Sequence, residues 1–324
     1  MRRREFIGLL GGAAAWPLAA RAQQPGVPII AYLGAPAPPS STIIAAIRKG
    51  LSELGYVEGL NVTIQLSISE QYEGLPVLAA ELVRRRVAVI FAGGAANAAL
   101  AAKAATSTIP IVFATGGDPV RLGLVSSLSC PGGNLTGVTF CAGALVAKQL
   151  ELLRELVPGV TKIGYLANPA NVISEGNIAD AIAAARSVGQ ELLVLNASTA
   201  DEIDNALETG AREGIGALLV AADAFFTNRR TQFAVLTARY RIPAIFNNRL
   251  IVDVGGLMSY TDDRLESSRL AGVYAGRILK GDKPADLPVL QPTKFEFVIN
   301  IRTAKALGIA FPASFHAHAD EVIE

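Results

Sequence analysis

The chain has 324 residues, a formal net charge of +1, 51% hydrophobic residues and 18% charged residues. Removing the first 22 residues takes the basic residues from 29 to 25 and the acidic residues from 28 to 27, so the other 302 carry a charge of −2. A mildly acidic body lacks the positive field that nucleic-acid binding needs. The high aliphatic content excludes an intrinsically disordered chain.

The first 22 residues have the order of a secretory signal peptide. The basic start Arg2–Arg4 precedes a short apolar run, Phe6–Ala20, and the segment Ala20–Ala22 offers small residues at the cleavage positions. The run Arg3–Ile7 resembles a twin-arginine export signal. We expect cleavage before Gln23 and a soluble product in the periplasm. The alternative is an N-terminal membrane anchor, for which the apolar run is short.

The first part of the body alternates short apolar strands with helices, as read from apolar spacing and from Gly and Pro breaks. The predicted strands are Val27–Leu33, Val62–Ile68, Val87–Ala92 and Ile109–Ala114, and this first set ends at the segment Asn134–Phe140. The predicted helices are Ser41–Leu54, Leu75–Arg86 and an Ala-rich segment that ends near Thr106. Strands that are apolar throughout predict a parallel sheet covered on both faces, in an α/β fold.

The pattern then restarts, and the tail adds a few more elements. The predicted strands here are Lys162–Leu166, Leu192–Leu195, Ala217–Ala221, Ala244–Phe246, Leu257–Tyr260 and Phe295–Ile299. The predicted helices are Leu145–Leu156, Ser174–Val188, Asp201–Glu213, Asn228–Tyr240, Leu265–Leu279 and Arg302–Leu307. Two successive α/β sets predict two lobes.

The tail elements are too few to form a third lobe, so we expect them to complete the first two. This assigns residues 27–139 and 257–289 to lobe 1, and residues 140–256 and 290–324 to lobe 2. The chain would cross between the lobes near Thr139, Gly256 and Leu290. Several parallel crossings predict a hinge between two rigid bodies.

Candidate binding residues of lobe 1 follow its strands, because ligands of open parallel sheets bind beyond the carboxyl ends of the strands. Gly94 and Ala95 open a helix whose free N–H groups suit an anion, although close helix–strand packing explains the same small residues equally well. Thr115 and Gly116 follow the next predicted strand and add a hydroxyl and an open backbone. Asp118 is a candidate for a ligand ammonium or for a helix cap before a proline.

Candidate binding residues of lobe 2 also follow predicted strands. Asn168, Asp223, Phe225 and Asn247 lie at three such ends and suit a small molecule with polar and apolar parts. Ordinary turn chemistry is the alternative for the amides. Of the adjacent rings of Phe225 and Phe226, one should point away from the core.

The sequence offers few signals for catalysis, metals or disulfides. No P-loop, nucleophile elbow or HExxH motif occurs. His316 and His318 are a His-X-His pair without further ligands nearby, which favours a solvated tail helix. Cys130 and Cys141 either form a disulfide, which an oxidising compartment permits, or remain two small unpaired residues. We expect no catalytic residues, no metal and no cofactor.

Several segments resemble a known family across nearly the whole chain. They include the leader and the motifs GYVEG at 55–59, TGGDP at 115–119, PGGNLTG at 131–137, GGLMSY at 255–260 and QPTKFE at 291–296. On these motifs the chain resembles the periplasmic solute-binding proteins of ABC importers, within the family that includes the tryptophan- and tyrosine-binding TrpX proteins. The Pro-rich loop 34–39 and the segment 247–250 depart from the family pattern.

The resemblance implies a type I periplasmic-binding fold whose two lobes close on a ligand. It implies that Gly94, Ala95, Thr115 and Gly116 hold a ligand carboxylate, and that Asp223, Phe225 and Asn247 contact the ammonium and side chain. The expected protein is a non-enzymatic, monomeric receptor for an amino acid, aromatic or branched, or for a related aromatic acid. Its partners would be this small molecule and a membrane permease, with no nucleic acid. The alternative is a ligand-binding sensor subunit that feeds a membrane signalling protein.

Overall fold

The computed structural model describes residues 26–36, 38–140 and 142–324. The leader expected at residues 1–22 and the thiol of Cys141 therefore lie outside the described residues. The rest of the chain forms two sheets that are mostly parallel and flanked by helices. The two-lobed α/β architecture expected from the sequence is confirmed by this arrangement.

The first sheet has five parallel strands in the order β2-β1-β3-β4-β5. These are β1 (Ile29–Gly34), β2 (Thr63–Ile68), β3 (Val89–Ala92), β4 (Ile111–Thr115) and β5 (Leu135–Thr139). The helices that connect them are α1 (Ser41–Ser52), α2 (Leu75–Arg84) and α3 (Ala96–Ala105). Strands β3 and β5 are buried at every position, because helices cover both faces of the sheet.

The second sheet has seven strands in the order β12-β11-β10-β9-β8-β6-β7. These are β6 (Lys162–Ala167), β7 (Glu191–Asn196), β8 (Ala217–Val220), β9 (Ala244–Phe246), β10 (Met258–Asp262), β11 (Phe295–Asn300) and β12 (Glu321–Ile323). Strands β10 and β11 pair antiparallel, and the other pairings are parallel.

Nine helices among the described residues follow α3 along the chain. They are α4 (Ala142–Leu156), α5 (Ser174–Ser187), α6 (Ala200–Arg212), α7 (Ala224–Asn228), α8 (Arg230–Arg239), α9 (Arg249–Val252), α10 (Arg264–Leu279), α11 (Ile301–Leu307) and α12 (Ala313–His318). The short helices α7 and α9 and the last strand were not predicted. They lack the length that apolar periodicity needs to become visible.

The chain crosses between the sheets at three places, one of which differs from the prediction. Strand β10 was assigned to lobe 1 from the sequence, but it pairs with β9 and β11 in the second sheet. The second crossing therefore lies after Asp262 rather than near Gly256. Leu290 still forms a bridge with Val138 of the first sheet, so the third crossing follows Leu290. Because the five-residue strand β10 could pair in either sheet, its sequence alone does not show which sheet it joins.

Helix α10 returns to the first lobe and packs tightly against α1. A Cβ at Gly272 would overlap the carbonyl oxygen of Ile47, and one at Gly50 would overlap the carbonyl oxygen of Arg269. The two backbones can approach this closely only because both positions are glycine. The helix thus joins the core formed by α1 and one face of the first sheet. In the part of the chain that the structure describes, no helix is both long enough and apolar enough to cross a membrane.

Candidate functional site

Each sheet has one point where its strand order reverses, and these points face the space between the lobes. In the first sheet the reversal lies between β1 and β3, and in the second it lies between β6 and β8. The loops that leave neighbouring strands there run to opposite faces of the sheet, and this opens a crevice at the carboxyl ends of the strands. The loop after β3 carries Gly94 and Ala95, and the loops after β6 and β8 carry Asn168 and Asp223.

Asp223 is the centre of a hydrogen-bonded cluster in the second lobe. Its Oδ2 accepts from Asn171 Nδ2 at 2.8 Å and from Asn168 Nδ2 at 3.2 Å. Its Oδ1 accepts the backbone N–H of Phe226 at 3.1 Å and so caps α7. Asn168 and Asn171 are themselves oriented by local turns, since each side-chain oxygen accepts a backbone N–H two residues further on.

The third donor to Asp223 Oδ2 comes from the other lobe. Tyr72, in a short 3₁₀ turn after β2, donates its hydroxyl at 3.1 Å. Both side chains are buried, and burial raises the pKa of each of them. For Asp223 the hydrogen bonds from Asn171, Phe226, Asn168 and Tyr72 oppose this increase in the pKa. An ionised carboxylate in this place is stable only because four donors surround it.

Further contacts hold the lobes together beside this pair. Asn97 in α3 donates to the carbonyl of Ala170 at 3.0 Å and accepts the backbone N–H of Val172 at 3.3 Å. Arg121 forms an exposed ion pair with Asp180 at 3.3 Å. The two lobes are therefore in contact along the crevice, in a closed arrangement.

The lobe 1 side of the crevice presents uncapped backbone donors. Helix α3 begins after Ala95, which makes no side-chain capping bond, and Gly94 adopts a left-handed φ of +84°. The ring of Tyr32 stacks on Phe91, and a Cβ at Gly93 would lie 2.5 Å from the Tyr32 hydroxyl. This hydroxyl makes no hydrogen bond to any residue that the structure describes. Backbone N–H groups and a phenol at one strand end suit an anion.

The loop after β4 is shaped by its own side chains. Thr115 is buried, and its hydroxyl accepts the backbone N–H of Gly117 at 3.2 Å, beside Gly116. Asp118 is exposed, and its Oδ1 accepts the backbone N–H groups of Val120 and Arg121. Asp118 therefore caps a turn, and the helix cap offered as its alternative role is wrong, because no helix lies among the described residues between β4 and β5.

Of the adjacent rings of Phe225 and Phe226 in α7, one is buried and the other is partly exposed, as expected from the sequence. Phe226 is 1% exposed and packs edge-on against Phe233 in the core. Phe225 is partly exposed, and the guanidinium of Arg229 lies 5.5 Å from its ring centroid. Phe225 is thus the ring that remains accessible at this end of the second sheet.

The hinge end of the crevice carries a second polar cluster. Asn247, directly after β9, donates to the carbonyl of Val220 at 2.8 Å, and its Oδ1 accepts from Gln149 Nε2 at 3.0 Å. Gln149 also donates to the carbonyl of Tyr260 at 2.8 Å. Arg264 donates to the carbonyl of Asn247 at 3.2 Å. Both Nδ2 and Oδ1 of the Asn247 side chain therefore have hydrogen-bond partners within the protein.

Four residues of these clusters were missed in the sequence, although each left a signal. Tyr72 and Arg264 follow strand ends, the position that identified the other candidates. Gln149 is completely buried on the apolar face of α4, between Val146 and Leu153. A single polar residue on such a face marks a specific contact. Tyr32 left the weakest signal, because a tyrosine in a buried strand is common.

The remaining sequence candidates lie away from the crevice. His316 belongs to α12, where its ring meets Phe311 edge-on at 6.5 Å, and His318 ends the same helix. Cys130 is free and exposed in the loop before β5. Within the described ranges, no group of three His, Cys, Asp or Glu residues is arranged to hold a metal ion.

Comparison with known proteins places this geometry in a family. Among solved structures, a conserved domain protein from Vibrio cholerae matches with a TM-score of 0.85 and 25% identity, over 91% of this chain and 99% of that one. An ABC domain from Streptococcus pneumonia in complex with L-Trp matches with a TM-score of 0.83 and 27% identity, with the same coverage. A tyrosine-binding protein of Clostridioides difficile is 29% identical over 264 residues, which are 81% of this chain and 75% of that protein.

The family model described as ABC transporter substrate binding protein matches residues 27–323, nearly the whole described chain. The resemblance found in the sequence is confirmed by this match and by the similar proteins. The chain therefore belongs to the substrate-binding proteins of ABC transporters, which are extracytoplasmic binding proteins rather than enzymes and which imply a small-molecule ligand and a permease partner.

Proposed function

We propose that this protein is the periplasmic receptor of an ABC importer and that it binds a small carboxylate-bearing solute between its lobes. The observation that carries the proposal is the hydrogen bond from Tyr72 to Asp223, which joins the loops after β2 and β8 across the crevice. A ligand seated there would contact both lobes only when they are closed. Such a ligand shifts the population toward closure, and the closed form is what a permease would recognise.

We infer that the solute is an amino acid, aromatic or branched, or a related aromatic acid. The named ligands of two relatives, tyrosine and L-Trp, support this class. So does the chemistry of the crevice, which has uncapped N–H groups at Gly94 and Ala95, the hydroxyl of Tyr32 and the accessible ring of Phe225. Thr115 and Gly116 lie in the adjacent loop and would complete the carboxylate side.

Asp223 is the proposed partner of a ligand ammonium. Its Oδ2 accepts three donors, but among the described residues its Oδ1 accepts only the N–H of Phe226. A carboxylate oxygen can accept a second hydrogen bond, so Oδ1 retains the capacity to bind an N–H of the ligand. Asn168 and Asn247 would then orient the site through their bonds to Asp223 and Val220 rather than through the ligand.

The ligand class is tested by mass spectrometry of the small molecule released from denatured, purified protein. Isothermal titration of the protein with L-tryptophan, L-tyrosine, L-leucine and phenylacetate follows. We expect at least one of these acids to bind, and failure of all four would refute the ligand class. The Asp223→Ala variant should lose affinity for L-tryptophan far more than for its deaminated analogue. Equal losses would refute the ammonium role.

We propose further that the protein is exported through the twin-arginine pathway and works as a monomer in the periplasm. The cleaved chain would begin at Gln23 and would contain no tryptophan, because Trp16 lies in the leader. N-terminal sequencing of exported protein should therefore start at Gln23, and the protein alone should show no tryptophan emission. Light scattering after size exclusion should give the mass of one mature chain, and a mass of two chains would refute the monomer.

A further inference from the structure

Arg264 lies at the hinge end of the crevice, between residues that follow strands of both lobes. It comes two residues after β10 and donates from Nη2 to the carbonyl of Asn247, which follows β9. Its guanidinium carbon lies 5.0 Å from the ring centroid of Phe140, which directly follows β5 of the first sheet. The guanidinium therefore spans the point where the carboxyl ends of both sheets meet.

The positive charge of Arg264 is not matched by the protein. No carboxylate of the described residues lies within ion-pair distance of it, whereas Arg249 and Arg269 each contact two or more acids. The Nε of Arg264 is buried and has no hydrogen-bond partner among these residues. Burying part of an unpaired cation is costly, so a cation kept in this place indicates an anion that binds it.

The surroundings of Arg264 suit a small ligand better than a structural anion. Phe140 donates its backbone N–H to the carbonyl of Thr115 at 3.0 Å, so the guanidinium lies near the loop of the expected carboxylate site. The guanidinium lies over the Phe140 ring, and only its Nη2 donates to a described residue, so its other N–H groups remain for a ligand. Gln149 holds the Asn247 side chain, and its own Oε1 is a buried acceptor without a partner among the described residues.

We propose that Arg264 binds the carboxylate of the solute, and that the crevice therefore selects acids over their uncharged counterparts. This deepens the proposed function and rests on it. The planar guanidinium offers two parallel N–H donors to a carboxylate, a geometry that lysine cannot reproduce. Arg264 would add a full charge to the backbone donors of the first lobe. Gln149 acts as a positioning residue, since it fixes Asn247 and thereby the carbonyl that Arg264 contacts.

The proposal is tested by titrating acids and their primary amides, namely L-tryptophan with L-tryptophanamide and phenylacetate with phenylacetamide. The wild-type protein should bind the acid that it accepts about 10- to 100-fold more tightly than the amide, as expected for a charge-assisted bond. R264Q should reduce this preference to about threefold or less. R264K should keep part of the preference with weaker affinity.

The matched control is R239Q, which removes an exposed arginine whose guanidinium lies 5.4 Å from the Tyr240 ring. It should bind acids and amides like the wild type. An unchanged preference for acids in folded R264Q overturns the role of Arg264 and leaves the proposed function intact. Wild-type protein that binds acid and amide equally overturns it as well, whether or not R264Q folds. Wild-type protein that binds none of the acids refutes both the ligand class and this inference.

Discussion

The hydroxyl of Tyr72 and the carboxylate of Asp223 form a buried hydrogen bond of 3.1 Å between two lobes, across 151 residues of sequence. Asn168 and Asn171 hold the carboxylate in place from its own lobe. Because the bond contributes free energy only when the lobes meet, it stabilises the closed arrangement without help from a ligand. The balance between open and closed forms therefore depends in part on this pair.

Replacing Tyr72 by phenylalanine should weaken closure without disturbing either core. The variant keeps the ring and loses one hydrogen bond to a charged acceptor, which is worth about 1.5–3 kcal/mol. The population should shift toward the open form, and ligand affinity should fall about 10-fold or more because closure becomes more costly. Small-angle X-ray scattering of the protein alone should give a larger radius of gyration than the wild type.

The matched control is Tyr274→Phe, which removes a hydroxyl that donates at 2.6 Å to the carbonyl of Pro288 within the first lobe. It should lower the free energy of unfolding by about 0.5–1.5 kcal/mol and leave the radius of gyration unchanged. Equal radii for Tyr72→Phe and wild type would contradict a role for Tyr72 in closure.

The stability of the protein should depend on pH through Asp223. Burial raises the pKa of this carboxyl above its ordinary value of 3.8, so the folded protein holds the proton more tightly than the unfolded chain. Its contribution to stability is then complete below about pH 4 and is lost as the pH rises through the folded-state pKa. The loss is about 1.4 kcal/mol for each unit by which folding raises the pKa.

Urea titrations of wild type and D223N between about pH 4 and pH 8 measure this effect. The free energy of unfolding of wild type minus that of D223N should decrease as the pH rises. D201N is the control, because Asp201 is exposed in the first turn of α6. A curve for D223N that runs parallel to the wild type would contradict the assignment.

The sequence predicted the α/β order because most strands are short apolar runs that alternate with segments of helical spacing, and this pattern depends only on local residue types. It did not predict the side on which β10 pairs, since Met258–Asp262 is short and fits either sheet. That choice is made by the antiparallel partner β11, which lies more than 30 residues further along the chain. Nonlocal pairing of this kind leaves no periodic signal in either segment.

For the candidate site, the residues at strand ends could be predicted from the sequence, but the contacts between distant segments could not. Asp223 and Asn168 were found because they follow strands, and strand ends meet at one edge of a parallel sheet. Their bond to each other depends on β6 and β8 being neighbours in the sheet. The contact with Tyr72 depends on how the two lobes close, a relationship between distant segments that single-sequence patterns do not encode.

The accessible ring of Phe225 should determine the preference for aromatic ligands. Replacing Phe225 by leucine removes a ring that contributes apolar area and ring–ring contact, worth about 0.5–1.5 kcal/mol beyond area alone. The affinity for L-tryptophan and L-tyrosine should fall about 3- to 10-fold, while that for L-leucine should change little. L-leucine is thus the control ligand for this variant. Titrations that show equal losses for all three amino acids would contradict a specificity role for Phe225.

The contact of α1 with α10 should be a sensitive packing point of the first lobe. Gly272→Ala places a methyl group against the backbone of Ile47, which cannot move aside as a side chain would. We expect a loss of about 1–3 kcal/mol in the free energy of unfolding, measured by urea titration. At Gly276 in the same helix, a Cβ would lie 3.0 Å from the Leu54 side chain, which can shift. Gly276→Ala should therefore be milder, and an equal or larger loss there would mean that helix spacing is not set by the Gly50–Gly272 contact.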